Sequence, residues 1–160
     1  MSDVGTEEHD LSQPFTGGAF DILVEVFQNN LIKRGLISEE LGRRSFNAHT
    51  VDLSGIQEEF NQFYQGKETE FKEALLDARD YFGKLMAKAW SNTSCDYLSY
   101  AKVLNNIIKA DEELSEGKYK QTILDCFNWR EIVPATEDNR TILSTHLVTE
   151  LTEDNQLVSV

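Results

Sequence analysis

Residues 96–133 read DYLSYAKVLNNIIKADEELSEGKYKQTILDCFNWREIV, and this stretch decides the fold class. Leu98, Ala101, Leu104, Ile107 (with Ile108) and Glu112 recur at intervals of three and four, up to the charged run Asp111, Glu112, Glu113. That spacing lines one side of an amphipathic helix with apolar residues. Ser99 stands where a hydroxyl can accept an otherwise unpaired amide at the helix start. Gly117 supplies the residue type that best tolerates the left-handed conformation of a helix end. A second helix comes next, with Tyr119, Ile123, Cys126 or Phe127 and Arg130 on one face, and closes at Pro134. Two such helices bury their stripes only against further helices. The pair is not basic, so it does not read as a DNA-reading helix-turn-helix.

Upstream, the helical period continues. Ile56, Phe60, Phe63 and Tyr64 form one stripe, and Gly66 marks a break. Phe71, Leu75, Ala78, Phe82, Leu85, Met86 and Ala89 then sustain the period over 67–91, expected to be the longest helix, up to the polar turn at 91–94. Earlier still, Thr16 is expected to cap a helix over 17–34 whose inner face carries Phe20, Leu23, Val24, Phe27 and Leu31, with Gly35 as its stop. Gly17 and Gly18 open that helix; such a pair either starts a helix or admits a neighbouring backbone at close range. Ser38, Glu39, Glu40 and Leu41 suggest a short helix ending at Gly42, and 43–52 read as a loop carrying the small basic island Arg43, Arg44. The expected architecture is all-α, a bundle of about five helices. A polar arm covers residues 1–14, the helical domain 15–134, and a tail 135–160. In the tail, TILSTHLV and QLVSV alternate with acidic polar residues and fit short strands or a segment packed on a neighbour.

Composition bounds function. A chain of 160 residues is ordinarily one domain, and 40% hydrophobic residues with nine Phe supply a core. The formal charge is −13, from 15 basic and 28 acidic residues, so phosphate backbones and anionic membranes are repelled. The acidic residues read as a solvated surface, with a face for a basic partner as the sharper alternative. Cys95 and Cys126 lack CxxC spacing; nothing in the sequence supports a disulfide between them, the alternative, and they read as two buried thiols. There is no apolar run of about 18 residues, so no transmembrane helix is expected. The start MSDVGTEEHD is unlike a signal peptide, and a cytoplasmic protein is expected.

Catalytic motifs are missing. His9, His49 and His146 are far apart in sequence and none has a metal-ligand partner at helical spacing. No HExxH, glycine-rich phosphate loop, GxSxG elbow or Cys–His signature occurs. The carboxylates at 57–60 and 111–113 are sparser than a calcium loop demands. No cofactor is expected in this chain.

One resemblance adds to this reading. The segment 96–133, through Tyr100, Ala110, Asp111, Leu114, Gly117, Tyr119, Phe127 and Arg130, resembles the end of the helical C-terminal domain of gluzincin metallopeptidases, the group of thermolysin-like and fungalysin-like enzymes. HDLSQPFTGGAFDILVEVF, residues 9–27, resembles the stretch immediately C-terminal to the zinc-binding core in that group. The resemblance implies a peptidase-like helical domain that lacks the HExxH half and has no zinc site of its own. It also implies that His9 stabilises the oxyanion of peptide hydrolysis, a large catalytic term where it operates. Zinc enters only with the missing half, so the expected partner is that catalytic domain or another protein. The rival expectation is an acidic all-helical interaction module unrelated to peptidases, binding through an apolar groove or a carboxylate-rich face.

Overall fold

The structure, a computed structural model, describes residues 8–46, 53–96 and 98–135. Its elements are α1 (Glu8–Lys33), α2 (Glu39–Phe46), α3 (Leu53–Tyr64), α4 (Glu68–Ser91), α5 (Tyr100–Ser115) and α6 (Lys120–Asn128). Among the described residues there is no strand. The all-α expectation holds, with six helices among the described residues where about five were expected. The short strands expected at 135–160 fall, beyond Ala135, outside the described residues.

The α5–α6 pair forms as its residues dictate. The Ser99 side chain accepts the Lys102 amide, and α5 ends where Glu116 and Gly117 take positive φ values of 58° and 76°. Val103, Leu104, Ile107 and Ala110 are buried. Leu98 does not belong to that face: it precedes the helix and is 58% exposed. In α6, Ile123, Cys126 and Phe127 turn inward. Its exit reverses the chain through paired bonds, from the Glu131 amide to the Asn128 carbonyl (2.9 Å) and from the Ile132 amide to the Phe127 carbonyl (3.1 Å). This closure needs a left-handed residue, here Glu131 at φ 59°, and it delivers Ile132 into the core.

Elsewhere the helices run further than the spacing predicts. α1 starts at Glu8, so residues 8–14 are helical, and at 26 residues it exceeds the 24 of α4. Thr16 is not its cap: its hydroxyl donates to the Ser12 carbonyl at 3.0 Å, one turn back inside the helix. Pro14 lies within α1 and, lacking an N–H, removes one rung of the ladder without ending it. The inner face of α1 also differs. Ala19, Ile22, Val26 and Leu31 are buried, whereas Phe20 is 61% exposed. Apolar residues occur on nearly every side of α1, so spacing admits several stripes. Contact with α4 on one side and α6 on the other selects among them. Gly42 does not stop α2; it is buried, and the helix continues to Phe46. The Ser38 hydroxyl accepts the Leu41 amide at 3.0 Å, as an N-cap should. Arg43 and Arg44 are no free basic island: Arg43 pairs with Glu40, and Arg44 with Glu59 of α3.

Two apolar clusters hold the bundle. The larger joins α1, α4, α5 and α6 through Ile22, Val26, Leu85, Leu104, Ile107, Ile123 and Phe127. The smaller lies where the end of α1 meets α2 and the start of α4, around Leu31, Leu36, Leu41 and Phe71, with Phe60 and Phe63 of α3 laid over it. No α3 residue is fully buried, so α3 is a cover, not a core helix.

Gly17 and Gly18 decide how α1 meets α6. A Cβ on Gly18 would stand 2.8 Å from Cδ1 and Cε1 of the buried Phe127, and one on Gly17 2.7 Å from Nε of Arg130. Neither reading of the glycine pair holds as made: α1 starts upstream at Glu8, and what comes close to the two glycines is the side chains of Phe127 and Arg130, not a backbone. Arg130 then reaches Asp21 at 2.5 Å and the Cys126 carbonyl at 3.0 Å, fastening the end of α6 to α1. The segments 9–27 and 96–133 are thereby packed against each other.

Candidate functional site

One end of the bundle is open. Phe15 of α1 sits between Trp90 of α4, Tyr100 of α5 and Phe127 of α6, with ring centroids 5.7, 5.9 and 5.3 Å away. The end of α4 and the start of α5 border a hollow of about 440 Å³ lined by Phe15, Trp90, Leu98, Ser99, Tyr100 and Val103. Trp90 remains 47% exposed above it. Trp129, two residues past Phe127, is 84% exposed, and Val133 is also exposed. Isolated exposed apolar residues are ordinary, but a concave apolar group with aromatic walls marks a contact surface.

The hollow is held by specific bonds. Asn106 donates to the Asn92 carbonyl at 3.2 Å and to the Thr93 hydroxyl at 2.8 Å, and the Thr93 hydroxyl donates to the Ala89 carbonyl at 2.7 Å. These tie the end of α4 to α5. Lys88 and Glu113, 2.6 Å apart, add a cross-link further along the same pair, and the lysine holds the Glu113 carboxyl below its ordinary range. Asn105 holds the Ala135 carbonyl at 3.1 Å, so the described chain ends on the flank of α5.

The opposite end of α5 carries the one buried charged side chain among the described residues, Asp111. Its carboxylate accepts the Tyr81 hydroxyl (2.5 Å), the Ser115 hydroxyl and the Tyr119 amide (3.1 Å). Burial, then the bond to Asp111, raises the Tyr81 phenol well above its usual value, so it stays a donor. The rings of Tyr81 and Tyr119 lie 4.8 Å apart, with Lys118 over Tyr119 at 4.5 Å. Every donor around Asp111 comes from the protein and fixes the α5–α6 turn against α4. This is a structural brace. Nothing in the spacing of residues 96–133 distinguishes Asp111 from its exposed neighbours Glu112 and Glu113. The distinction is visible only once Tyr81 is packed alongside.

His9 lies in the first turn of α1, while His49 and His146 fall outside the described residues. Among the described residues no group of His, Cys, Asp and Glu is arranged to hold a metal ion. Cys126 is buried, and burial pushes its thiol up to about 12, whereas Cys95 is exposed. The exposure of Cys95 corrects the expectation of two buried thiols. No helix among the described residues is long and apolar enough to cross a membrane.

Comparison with known proteins finds no matching family model, and neither a curated protein nor a solved structure matches the chain. The described residues form an all-helical domain of six helices.

Proposed function

We propose that the chain is a docking module without a catalytic site of its own, and that it binds a partner protein through its open apolar end. The observation that carries this reading is the hollow walled by Phe15, Trp90, Leu98 and Tyr100, with Trp90 and Leu98 half-exposed at its rim. Such a site takes an apolar or aromatic side chain from a partner surface, and interface hot spots cluster in desolvated pockets of this kind. The net charge of −13 supports a protein partner over nucleic acid or an anionic membrane. Two free thiols accord with a reducing, cytoplasmic setting.

The resemblance names one partner class: the zinc-bearing half of a gluzincin-like peptidase. In favour of that class, Gly17 and Gly18 pack residues 9–27 against Phe127 and Arg130, so both resembling segments belong to one structural unit. His9 stands in the first turn of α1, six residues and about 9 Å of helix before Phe15. On this reading the partner brings the zinc, and His9 acts only within the complex.

A photo-crosslinking residue at Leu98, with the same probe at the exposed Leu75 of α4 as control, tests the proposal in the native cell. Leu98 is expected to capture a discrete protein that Leu75 does not. A captured chain with HExxH supports the peptidase reading, and one without it the unrelated interaction module. Identical capture from both positions removes the docking proposal.

A further inference from the structure

Lys33 closes α1 and Lys118 stands in the turn between α5 and α6, so the fold brings together two cations remote in sequence. Both ammonium groups lie over one ring, that of Tyr119, with Nζ 5.9 Å and 4.5 Å from its centroid. Tyr119 is fixed beneath them: it is 5% exposed, packs on Tyr81, and gives its amide to the buried Asp111 carboxylate. Each arginine among the described residues pairs with a carboxylate, including Arg34, which turns from its neighbour Lys33 toward Glu73 and Asp77. Lys33 and Lys118 form no such pair with a described residue, although the chain holds 28 acidic residues against 15 basic ones. Contact with Lys118, and then desolvation, holds the Lys33 ammonium below its ordinary range, as a like charge on the same spot must.

We propose that Lys33 and Lys118, converging over the Tyr119 ring, bind a single phosphoryl group. Two positive charges match a phosphate dianion, whereas one carboxylate would neutralise only one of them. Lysine serves phosphate well as a point charge, and an anion between the two ammonium groups removes their mutual repulsion. The neighbouring negative charges are Glu112, exposed beside Gly117, and Asp111, whose carboxylate already accepts three donors. The net charge of −13 still excludes a long polyanion, which would meet the repulsion of the whole surface. A lone phosphoryl group senses only charges within a Debye length of about 8 Å, where the two lysines stand. The site lies at the far end of α5 from the hollow and is independent of the docking face.

The test follows the amide signals of Lys33, Lys118 and Tyr119 in the full chain while inorganic phosphate is added at constant ionic strength. Saturable shifts of all three are expected. Affinity is expected to fall at least about fivefold in Lys33→Gln and in Lys118→Gln, the scale of a solvent-exposed ion pair. Lys72→Gln, the same loss of charge on the exposed surface of α4, is expected to leave it unchanged. Both site lysines are exposed and outside the core clusters, so their variants should keep the native Tm. O-phosphoserine separates the sources of the group. Tighter binding than inorganic phosphate assigns the site to a phosphoryl group carried on a larger molecule, and equal or weaker binding assigns it to the free ion; either upholds the site. Acetate that binds as tightly as phosphate would overturn the assignment to a phosphoryl group. Shifts that are absent, that grow without saturating, or that persist unchanged in Lys33→Gln and Lys118→Gln would overturn the site itself.

Discussion

Gly18→Ala isolates the contact on which the packing of α1 against α6 depends. Alanine in a helix interior is favoured over glycine by about 0.5–1 kcal/mol, so on propensity alone the substitution stabilises. The structure opposes that gain. The new methyl group would stand 2.8 Å from two carbons of the Phe127 ring, against about 3.5–4.0 Å for carbon atoms at rest. Phe127 has no exposed surface and touches Phe15, so its ring cannot swing away, and α1 and α6 must separate. Overpacking of this kind costs about 1–3 kcal/mol. Gly83→Ala is the matched control, because nothing lies within 4 Å of a Cβ at Gly83 inside α4. Propensity is common to both variants, so their difference in urea-unfolding free energy reads the steric cost directly. Gly83→Ala is expected to stabilise by about 0.5–1 kcal/mol and Gly18→Ala to fall about 1–3 kcal/mol below it. Equal stabilisation by both would show that α6 does not approach α1 at Gly18, and the arrangement of the larger core would be wrong.

Asp111→Ala strands the Tyr81 and Ser115 hydroxyls and the Tyr119 amide, and should cost about 3–5 kcal/mol by chemical denaturation. Tyr81→Phe should cost less than half as much, and a double-mutant cycle should show strong coupling; additivity would mean that the two do not touch. Burial and then the Asp21 charge raise the Glu25 carboxyl above its ordinary value. The folded pKa thus exceeds the unfolded one, so the penalty acts above the folded pKa and disappears below the unfolded value. Glu25→Gln is expected to raise Tm at pH 7 and to leave it unchanged below about pH 4; a pH-independent difference would contradict this. At pH 8 a thiol reagent should modify Cys95 at once and Cys126 only after denaturant, and rapid loss of two thiols per native chain would refute the burial of Cys126.

How legible each feature was in the residues depends on how local its cause is. Ser99, Gly35, Gly66 and Gly117 act within one turn of chain, and each marks a helix boundary as its chemistry predicts. The stripe Leu104, Ile107 was readable because α5 is polar on its other sides. α1 is apolar nearly all round, so its inner face depends on α6, a partner more than 80 residues away, and Phe20 and Val24 lie exposed, off the face that their spacing predicts. Thr16 and Gly42 carry boundary chemistry that tertiary contacts override: α1 continues through one and α2 through the other. The hollow was illegible for the same reason. Its lining comes from α1, α4, the approach to α5 and the first turn of α5, and no spacing rule links Phe15 to Trp90 and Leu98.

The central claim is that the open apolar end is a docking face, and Leu98→Asp tests it most directly. Leu98 is 58% exposed and outside the core clusters, so the variant should fold with an unchanged Tm. Titration calorimetry with the partner captured at Leu98 should then show affinity weakened at least about tenfold, equivalent to about 1.4 kcal/mol at a binding hot spot. Unchanged affinity in a normally folded variant would contradict the claim.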